Sequence, residues 1–536
     1  NPRISGDGEW IPFASAAGDL VPGQTQAPDI SALFLARRIT GEKILITHVA
    51  NAPATPASGF IGQTDLSADG RFVVYAGTFT DVVPGMSGGF YQLFLYDRLA
   101  GTTSLVSHAA ASPTTSSDDD VLGAPSISAD GRFAVFVSRA TDLVAGQADT
   151  NIGGDVFLYD RTTGAVTLIS RQTGTAATAG DRPSATPEIS ADGRWIAFMS
   201  QATNLVPGQT DPTTGHDIFL HDRVTGTTTL VSHALGAPTT SAQGESGTPH
   251  LSADGRFLVF MGSSDNLTAG SISADCQPLM TSCADIYLHD RTTGENVLVS
   301  HSAASPTASG GRKALDPRIS ANGRFITFMS DSADHVPGVV DSASTRDTFL
   351  YDRTTGEIEL LSRRDDTPSV ACGGGLTADP SADGSRIVLS SGAPLLQGDF
   401  NGLLDVYLYN NDLPGSSFFV LPPCRLFDTR RPEDGPVLVS GTPVILSVDG
   451  GCGIPATAQA VNVTVFNPTG QGNLSIGPGD SASFGTSTIN FLPGVNRANN
   501  AIVRLALDGS GSLAVRPFVA GGGTVHVILD VVGHFE

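Results

Sequence analysis

Lysine is nearly missing from this chain of 536 residues: Lys43 and Lys313 stand alone, and arginine supplies the rest of the 30 basic side chains. Charged residues make up only 15%, with acids in excess, for a formal net charge of −23. Such a field repels nucleic acid and anionic membrane surfaces, so neither is an expected partner. It suits solubility, divalent cations or basic partners, and a solvated acidic surface is its plainer meaning. No apolar run reaches the roughly 18 residues of a bilayer span, and no basic segment followed by an apolar core opens the chain. Asn1 begins almost directly on a repeat, as in a mature or trimmed product. No 3.6-residue apolar period persists, which excludes long amphipathic helices. HExxH, Walker and dinucleotide fingerprints are missing too.

Cysteine is sparse. Cys276 and Cys283 share one insertion, and Cys424 and Cys452 flank the start of the last domain, spacings that disulfides can close. The competing metal site lacks a CxxC or a His-spaced partner. Two disulfides and an oxidising, extracytoplasmic compartment are expected, with Cys372 left over, buried and inert or free for an intermolecular bond.

What is present is glycine (62), proline (33) and a repeat. In Ser126 to Ser170, short runs rich in Val, Ile, Phe and Tyr are separated by Ala-Asp-Gly-Arg and Asp-Arg-Thr-Thr-Gly, both tight-turn sequences. This predicts a four-stranded antiparallel meander. The first turn recurs from Ser5, Ser67, Ser128, Ser190, Ser252, Ser320 and Ser381, and the third strand answers from Phe34, Phe94, Phe157, Phe219, Tyr287, Phe349 and Tyr407. Units of this size cannot bury their faces alone, and radial stacking makes a β-propeller; a linear solenoid is the alternative, though its repeats are usually shorter.

The pattern I-S-A-D-G-R-F, D-L-V-P-G, D-V-F-L-Y-D-R and T-T-G resembles the bacterial TolB-like, or PD40, WD40-like propeller repeat. The resemblance implies an all-β, seven-bladed β-propeller over 1–421. It implies little about chemistry, since similar propellers serve as interaction platforms, regulatory domains of peptidases and occasional polysaccharide lyases. From 424 to 536 longer alternating strands predict a C-terminal β-sandwich. Its phrases CRLFDTR, AVNVTVFNPTGQGNLSIGP, STINFLPG and VHVILDVVGHF resemble a domain found on secreted bacterial proteins, which implies secretion and a surface or attachment role. The strand Phe418 to Leu421 is expected to complete the seventh unit before the Pro422-Pro423 linker.

Antiparallel order places the tight turns on one face and the long connections on the other, so binding is expected on the loop face. There, Asp149, Asn151 and Asp155, and Asp399, Asn401 and Asp405, keep an i, i+2, i+6 spacing of oxygen ligands; Asp211/Asp217 and Asp341/Asp347 keep the outer pair. The spacing resembles short calcium loops, while an Asp that opens a strand also caps a turn. His48, His108, His233 and His301 end fourth strands, and their recurrence argues for a structural role. The G-x-S-x-G match around Ser87 sits in a glycine-rich loop, without the strand and helix of a nucleophile elbow. Arg71, Arg132, Arg194, Arg256 and Arg324 are expected to pair with Asp97, Asp160, Asp222, Asp290 and Asp352. The chain reads as a non-catalytic, secreted interaction or structural protein with protein partners or self-association into a layer or filament. The alternative is a carbohydrate-active or peptide-cleaving enzyme on the loop face.

Overall fold

The computed structural model describes residues 3–25, 31–269, 284–332, 334–341, 346–364, 367–371, 375–393, 395, 405–411, 418–431, 436–447, 458–479, 488–504 and 512–535. It divides into two compact units, Asn1–Asn410 and Asn411–Glu536.

The first unit is a succession of antiparallel meanders in chain order. The repeat typified by Ser126 to Ser170 forms a four-stranded sheet of Val121–Ile127, Phe133–Ser138, Asp155–Asp160 and Ala165–Leu168, each strand paired with the next. Further four-stranded sheets follow the same order, and a three-stranded sheet stands at each end of the series. Second strands such as Phe72–Gly77 and Phe133–Ser138 are buried along their whole length. Both of their faces are covered, which is why they read as continuous apolar runs. Val74, Leu93 and Leu95 of one sheet share a core with Ile127, Ala134 and Phe136 of the next. First-strand residues Asp65, Ser126, Glu188, His250 and Arg318 line one cavity, so successive sheets are arrayed about an axis. That arrangement is a β-propeller fold.

The tight-turn face is locked in several ways. Within each turn the serine hydroxyl and the following strand's amide are tied together: Ser128 Oγ donates to Asp130 Oδ1 and accepts from Phe133 N. Between turns, Ala68 N donates to Ala129 O, Ala129 N to Ala191 O, and Ala191 N to Ala253 O. The five expected Arg–Asp pairs all form, with N···O distances of 2.7–2.9 Å. Each is two-pronged, as in Arg132 Nε and Nη2 on the two oxygens of Asp160. The arginines are more than one-third exposed in all but Arg324, so solvent screens these pairs and each adds little to stability.

In the second unit, Phe418–Asp428, Thr524–Phe535, Ala458–Phe466 and Arg497–Arg504 form one antiparallel sheet. Val444–Ser447, Ser512–Val519, Gly472–Pro478 and Ile489–Phe491 form another. Val461, Val463, Val527 and Leu529 from the first meet Leu474, Leu513 and Val515 from the second in one core. The CRLFDTR phrase is a clasp: buried Asp428 accepts from both Arg425 and Arg430, and Arg425 also grips Asp530 of the last strand.

One expectation is corrected here. Phe418 to Val420 do not complete the seventh propeller unit; they pair with Phe535, His534 and Gly533. The division therefore falls after Asn410 rather than at 421. A short β-prone apolar run carries no mark of which sheet will take it, and the long strand Thr524–Phe535 offers the longer ladder.

Gly193 and Gly208 both have φ near +70°, but a Cβ on Gly193 would lie 2.4 Å from Phe133 Cδ2, whereas nothing lies within 4 Å of one on Gly208. Gly208→Ala is expected to lose about 1 kcal/mol to backbone strain, and Gly193→Ala about 1–3 kcal/mol more through the clash. Thermal and urea midpoints of the two variants check this; equal losses would refute the close approach.

Candidate functional site

Two places before each turn serine stand, in successive copies, Arg3, Asp65, Ser126, Glu188, His250, Arg318 and Asp379. All but Asp379 line a single cavity of about 490 Å³ along the axis. Three of these side chains take the next unit's amide: Ile127 N donates to Asp65 Oδ2 at 3.0 Å, Ile189 N to Ser126 Oγ at 3.3 Å, and Leu251 N to Glu188 Oε2 at 3.1 Å. Arg318 has no acceptor to offer, and the following unit places Pro380, which has no amide hydrogen, at that position. Arg318 instead faces Asp316 at 3.2 Å and Asp379 at 3.4 Å, while Arg3 lies 4.0 Å from Asp65.

The cavity wall is strained. Thr186, Thr248 and Asp316 have φ of 44°, 47° and 50°, each just before a proline, where their first strands bulge. Positive φ is unfavourable for such residues and clusters at functional sites. Thr248 Oγ1 and His250 Nδ1 are buried without a hydrogen-bond partner. Burial pushes the Glu188 carboxyl up to about 8 and, with Arg318 and Arg3 opposing a further charge, drives His250 down to about 3. Burial also raises Asp65. At neutral pH Glu188 is thus protonated and His250 neutral, with Nε2 3.6 Å from Glu188 Oε1. Guanidinium, neutral carboxyl and imidazole groups together suit a small polar group rather than a bare ion. Sequence reasoning missed this ring. The available signal was a first-strand position, fixed relative to the repeated turn, whose charge changes from copy to copy.

Of the expected calcium residues, Asp149, Asn151 and Asp155 lie together, Asn151 Nδ2 donating to Asp155 Oδ2 at 3.4 Å, and Asp211 lies near Asp217. Asp155 is buried; its Oδ1 accepts from Ser170 Oγ at 2.8 Å, and Ser170 Oγ accepts from Val156 N at 2.9 Å. Asp217 with Ser232, and Asp347 with Ser362, repeat the arrangement, as does Asp285 with Ser300. In the second copy Gln92 takes the same hydroxyl, from Ser107 at 2.6 Å, so a neutral acceptor suffices. Asp149 and Asp211 cap their own loops, accepting from Asn151 N and Thr213 N, and Asn151 Oδ1 accepts from Gly153 N. Among the described residues no group of three or more His, Cys, Asp or Glu is assembled as a metal site. Asp399 and Asn401 lie outside the described residues, as does the side chain of Asp341; Asp405 opens the third strand of the last propeller unit.

Recurrent histidines clasp neighbours: His108 Nε2 meets Gly164 O at 3.1 Å and His301 Nε2 meets Gly356 O at 3.2 Å, a place taken elsewhere by Arg171 on Gly226 O. Ser87 bridges Thr115 on the loop face. Cys424 is disulfide-bonded, while Cys276, Cys283, Cys372 and Cys452 lie outside the described residues.

No family model matches the chain, and no curated protein does. Solved structures similar to it include oligogalacturonate lyase from Vibrio parahaemolyticus, at 12% identity and TM-score 0.42, covering 76% of this chain and 88% of that one. The β-propeller domain of the Trilobed protease from Pyrococcus furiosus matches at 10% identity and TM-score 0.41, over 76% of this chain and 94% of that one. A putative TolB from Agrobacterium tumefaciens matches at 18% identity and TM-score 0.29, over 55% and 78%. Likeness at this level transfers no activity.

Burial pushes Asp155 up to about 7 and both Asp217 and Asp285 up to about 6. A carboxyl whose folded pKa exceeds its unfolded value stabilises at low pH and loses that contribution as pH rises through the folded value. The melting temperature should therefore fall between pH 5 and pH 8. Combining Asp155→Asn, Asp217→Asn and Asp285→Asn should flatten that slope. A rise in melting temperature with calcium at pH 8, abolished in this variant, would instead assign these carboxylates to metal.

Proposed function

We propose that the chain is a secreted, non-catalytic interaction protein, a seven-bladed propeller followed by a β-sandwich, which assembles with its own copies outside the cell and offers the propeller's loop face to protein partners. The observation that carries this reading is the stitching of the loop face. Consecutive connections are joined by main-chain bonds: Ala50 N to Asp81 O, Ala110 N to Asp142 O, Thr173 N to Asn204 O, Leu235 N to Asn266 O and Ala303 N to Asp334 O. Parallel bridges join Ser87 to Thr115, Ala148 to Thr178 and Thr210 to Thr240. A surface already ordered loses little entropy on binding. Exposed Phe60, Phe90 and Ile152 stand on it, side chains of the kind that anchor protein interfaces. The disulfide at Cys424 suits an oxidising compartment.

A second reading, a carbohydrate-active or peptide-cleaving enzyme, draws on the axial cavity, where Glu188 holds a proton beside neutral His250. Light scattering across a concentration series, negative-stain microscopy and turnover on polysaccharide and peptide panels separate the two. Mass that grows with concentration, ordered particles and no turnover are expected. A constant monomer mass with turnover abolished by Glu188→Gln would establish the enzyme instead.

A further inference from the structure

The axial cavity holds more hydrogen-bond donors than it can satisfy. Arg3 brings a guanidinium fork on a half-exposed side chain, and its approach to Asp65, Nε to Oδ1 at 4.0 Å, is longer than a hydrogen bond. Glu188, held neutral by burial, carries a hydroxyl proton. Its Oε2 accepts from Leu251 N at 3.1 Å, which leaves the proton to Oε1, and Oε1 lies 3.6 Å from His250 Nε2, again too far for a hydrogen bond. On the same wall Thr248 Oγ1 and His250 Nδ1 are buried without a partner among the described residues. Buried polar groups left unmade are costly and call for an explanation. Arg318 is different, since it is engaged with Pro317 O at 3.1 Å, Asp316 at 3.2 Å and Asp379 at 3.4 Å. It contributes positive potential to the cavity rather than free donors.

A group that only accepts fits this set. A carboxylate offers lone pairs on both oxygens and is gripped two-pronged by a guanidinium. Asp65 and Asp316 already stand beside the two guanidiniums, so one added negative charge is tolerated better than two. This favours a monocarboxylate over phosphate or a dicarboxylate. The rest of the wall describes the rest of the ligand. Pro125, Pro187 and Pro249 line the cavity together with Leu122 and Val137, side chains that offer no polar atom, so the body they meet is apolar. A volume of about 490 Å³ is that of a small-molecule site.

We infer that the axial cavity binds a small organic monocarboxylate, its carboxylate held by the Arg3 guanidinium and the Glu188 hydroxyl and its apolar body set against Pro125, Pro187 and Pro249. This assigns a ligand and no reaction, and it stands whether or not copies of the chain assemble. Binding is linked to the Glu188 proton. Arg3, Arg318 and Asp65 act on this carboxyl, and His250 and Asp316 share its wall. The arginines stay charged and His250 stays neutral between pH 7 and pH 9, so Glu188 is the group that changes. As pH rises through its folded value of about 8, Glu188 becomes an anion, loses the donor and repels the ligand.

Calorimetric titration of the full chain with butyrate and with benzoate tests this, with butyramide, succinate and inorganic phosphate as comparisons. Both monocarboxylates should bind at pH 7, more tightly than the comparisons, and their Kd should rise about 10-fold from pH 7 to pH 9. Arg3→Gln should weaken binding about 10- to 100-fold while the melting temperature holds, because the side chain is half exposed. Glu188→Gln keeps an acceptor for Leu251 N and a donor toward the cavity, so it should bind nearly as well as wild type and lose the pH dependence. Absence of heat with both carboxylates, butyramide bound as tightly as butyrate, succinate or phosphate bound more tightly, indifference to Arg3→Gln, or an unchanged pH dependence in Glu188→Gln would each overturn the inference.

Discussion

The propeller depends on a contact that only glycine permits. In each S-A-D-G turn the glycine has positive φ, and its missing side chain leaves room for the aromatic ring of the preceding unit. A Cβ on Gly131 would lie 2.2 Å from Phe72, and one on Gly255 2.5 Å from Trp195. The same rings receive a guanidinium from the unit that supplies the glycine: Arg161 stands 4.0 Å over Phe72, Arg223 3.9 Å over Phe133, and Arg291 3.8 Å over Trp195. That arginine is itself aimed by the glycine's carbonyl, as Arg161 Nε donates to Gly131 O at 2.9 Å. Each exposed cation–π contact contributes about 0.5–1 kcal/mol. Its larger effect is geometric, since turn, ring and arginine together fix where one sheet sits on the next.

Polar groups in the interior follow a matching economy of donors and acceptors. The hydroxyl that ends a fourth strand accepts an amide and donates to a residue opening the third, Asp155 for Ser170 and Gln92 for Ser107. Because the acceptor need not be charged, burial raises the aspartates instead of expelling them. The spacing that resembles a calcium loop also meets two local demands. An Asp or Asn caps the loop, and a second Asp, a fixed distance later, satisfies the hydroxyl.

What the sequence made legible is what it repeats. Sheet order, tight turns, the Arg–Asp pairs and the structural histidines are each stated several times over, and repetition separates signal from chance. The axial ring is invisible for the opposite reason. Arg3, Asp65, Ser126, Glu188, His250, Arg318 and Asp379 differ from one another and become a set only when first strands are brought to a common axis. Phe418 to Val420 fail differently: the run is a strand by propensity, but the choice of sheet is made by Gly533 to Phe535, more than a hundred residues away.

Neighbour-only contact also explains why the ends of the series differ. In a stack where each sheet touches the one before and the one after, every internal unit gains two interfaces and a terminal unit only one, so terminal units rely less on the shared pattern. The last unit shows this in its sequence: Asn322 replaces the turn aspartate one unit earlier, then Ser385, Arg386 and Asn410 replace the arginine, aromatic and aspartate that form the lock. Arg386 Nη1 still bonds Asn410 Oδ1 at 2.7 Å, a neutral remnant of the ion pair. The apolar positions have not drifted in the same way, since Val388, Val406 and Leu408 remain aliphatic while exposed.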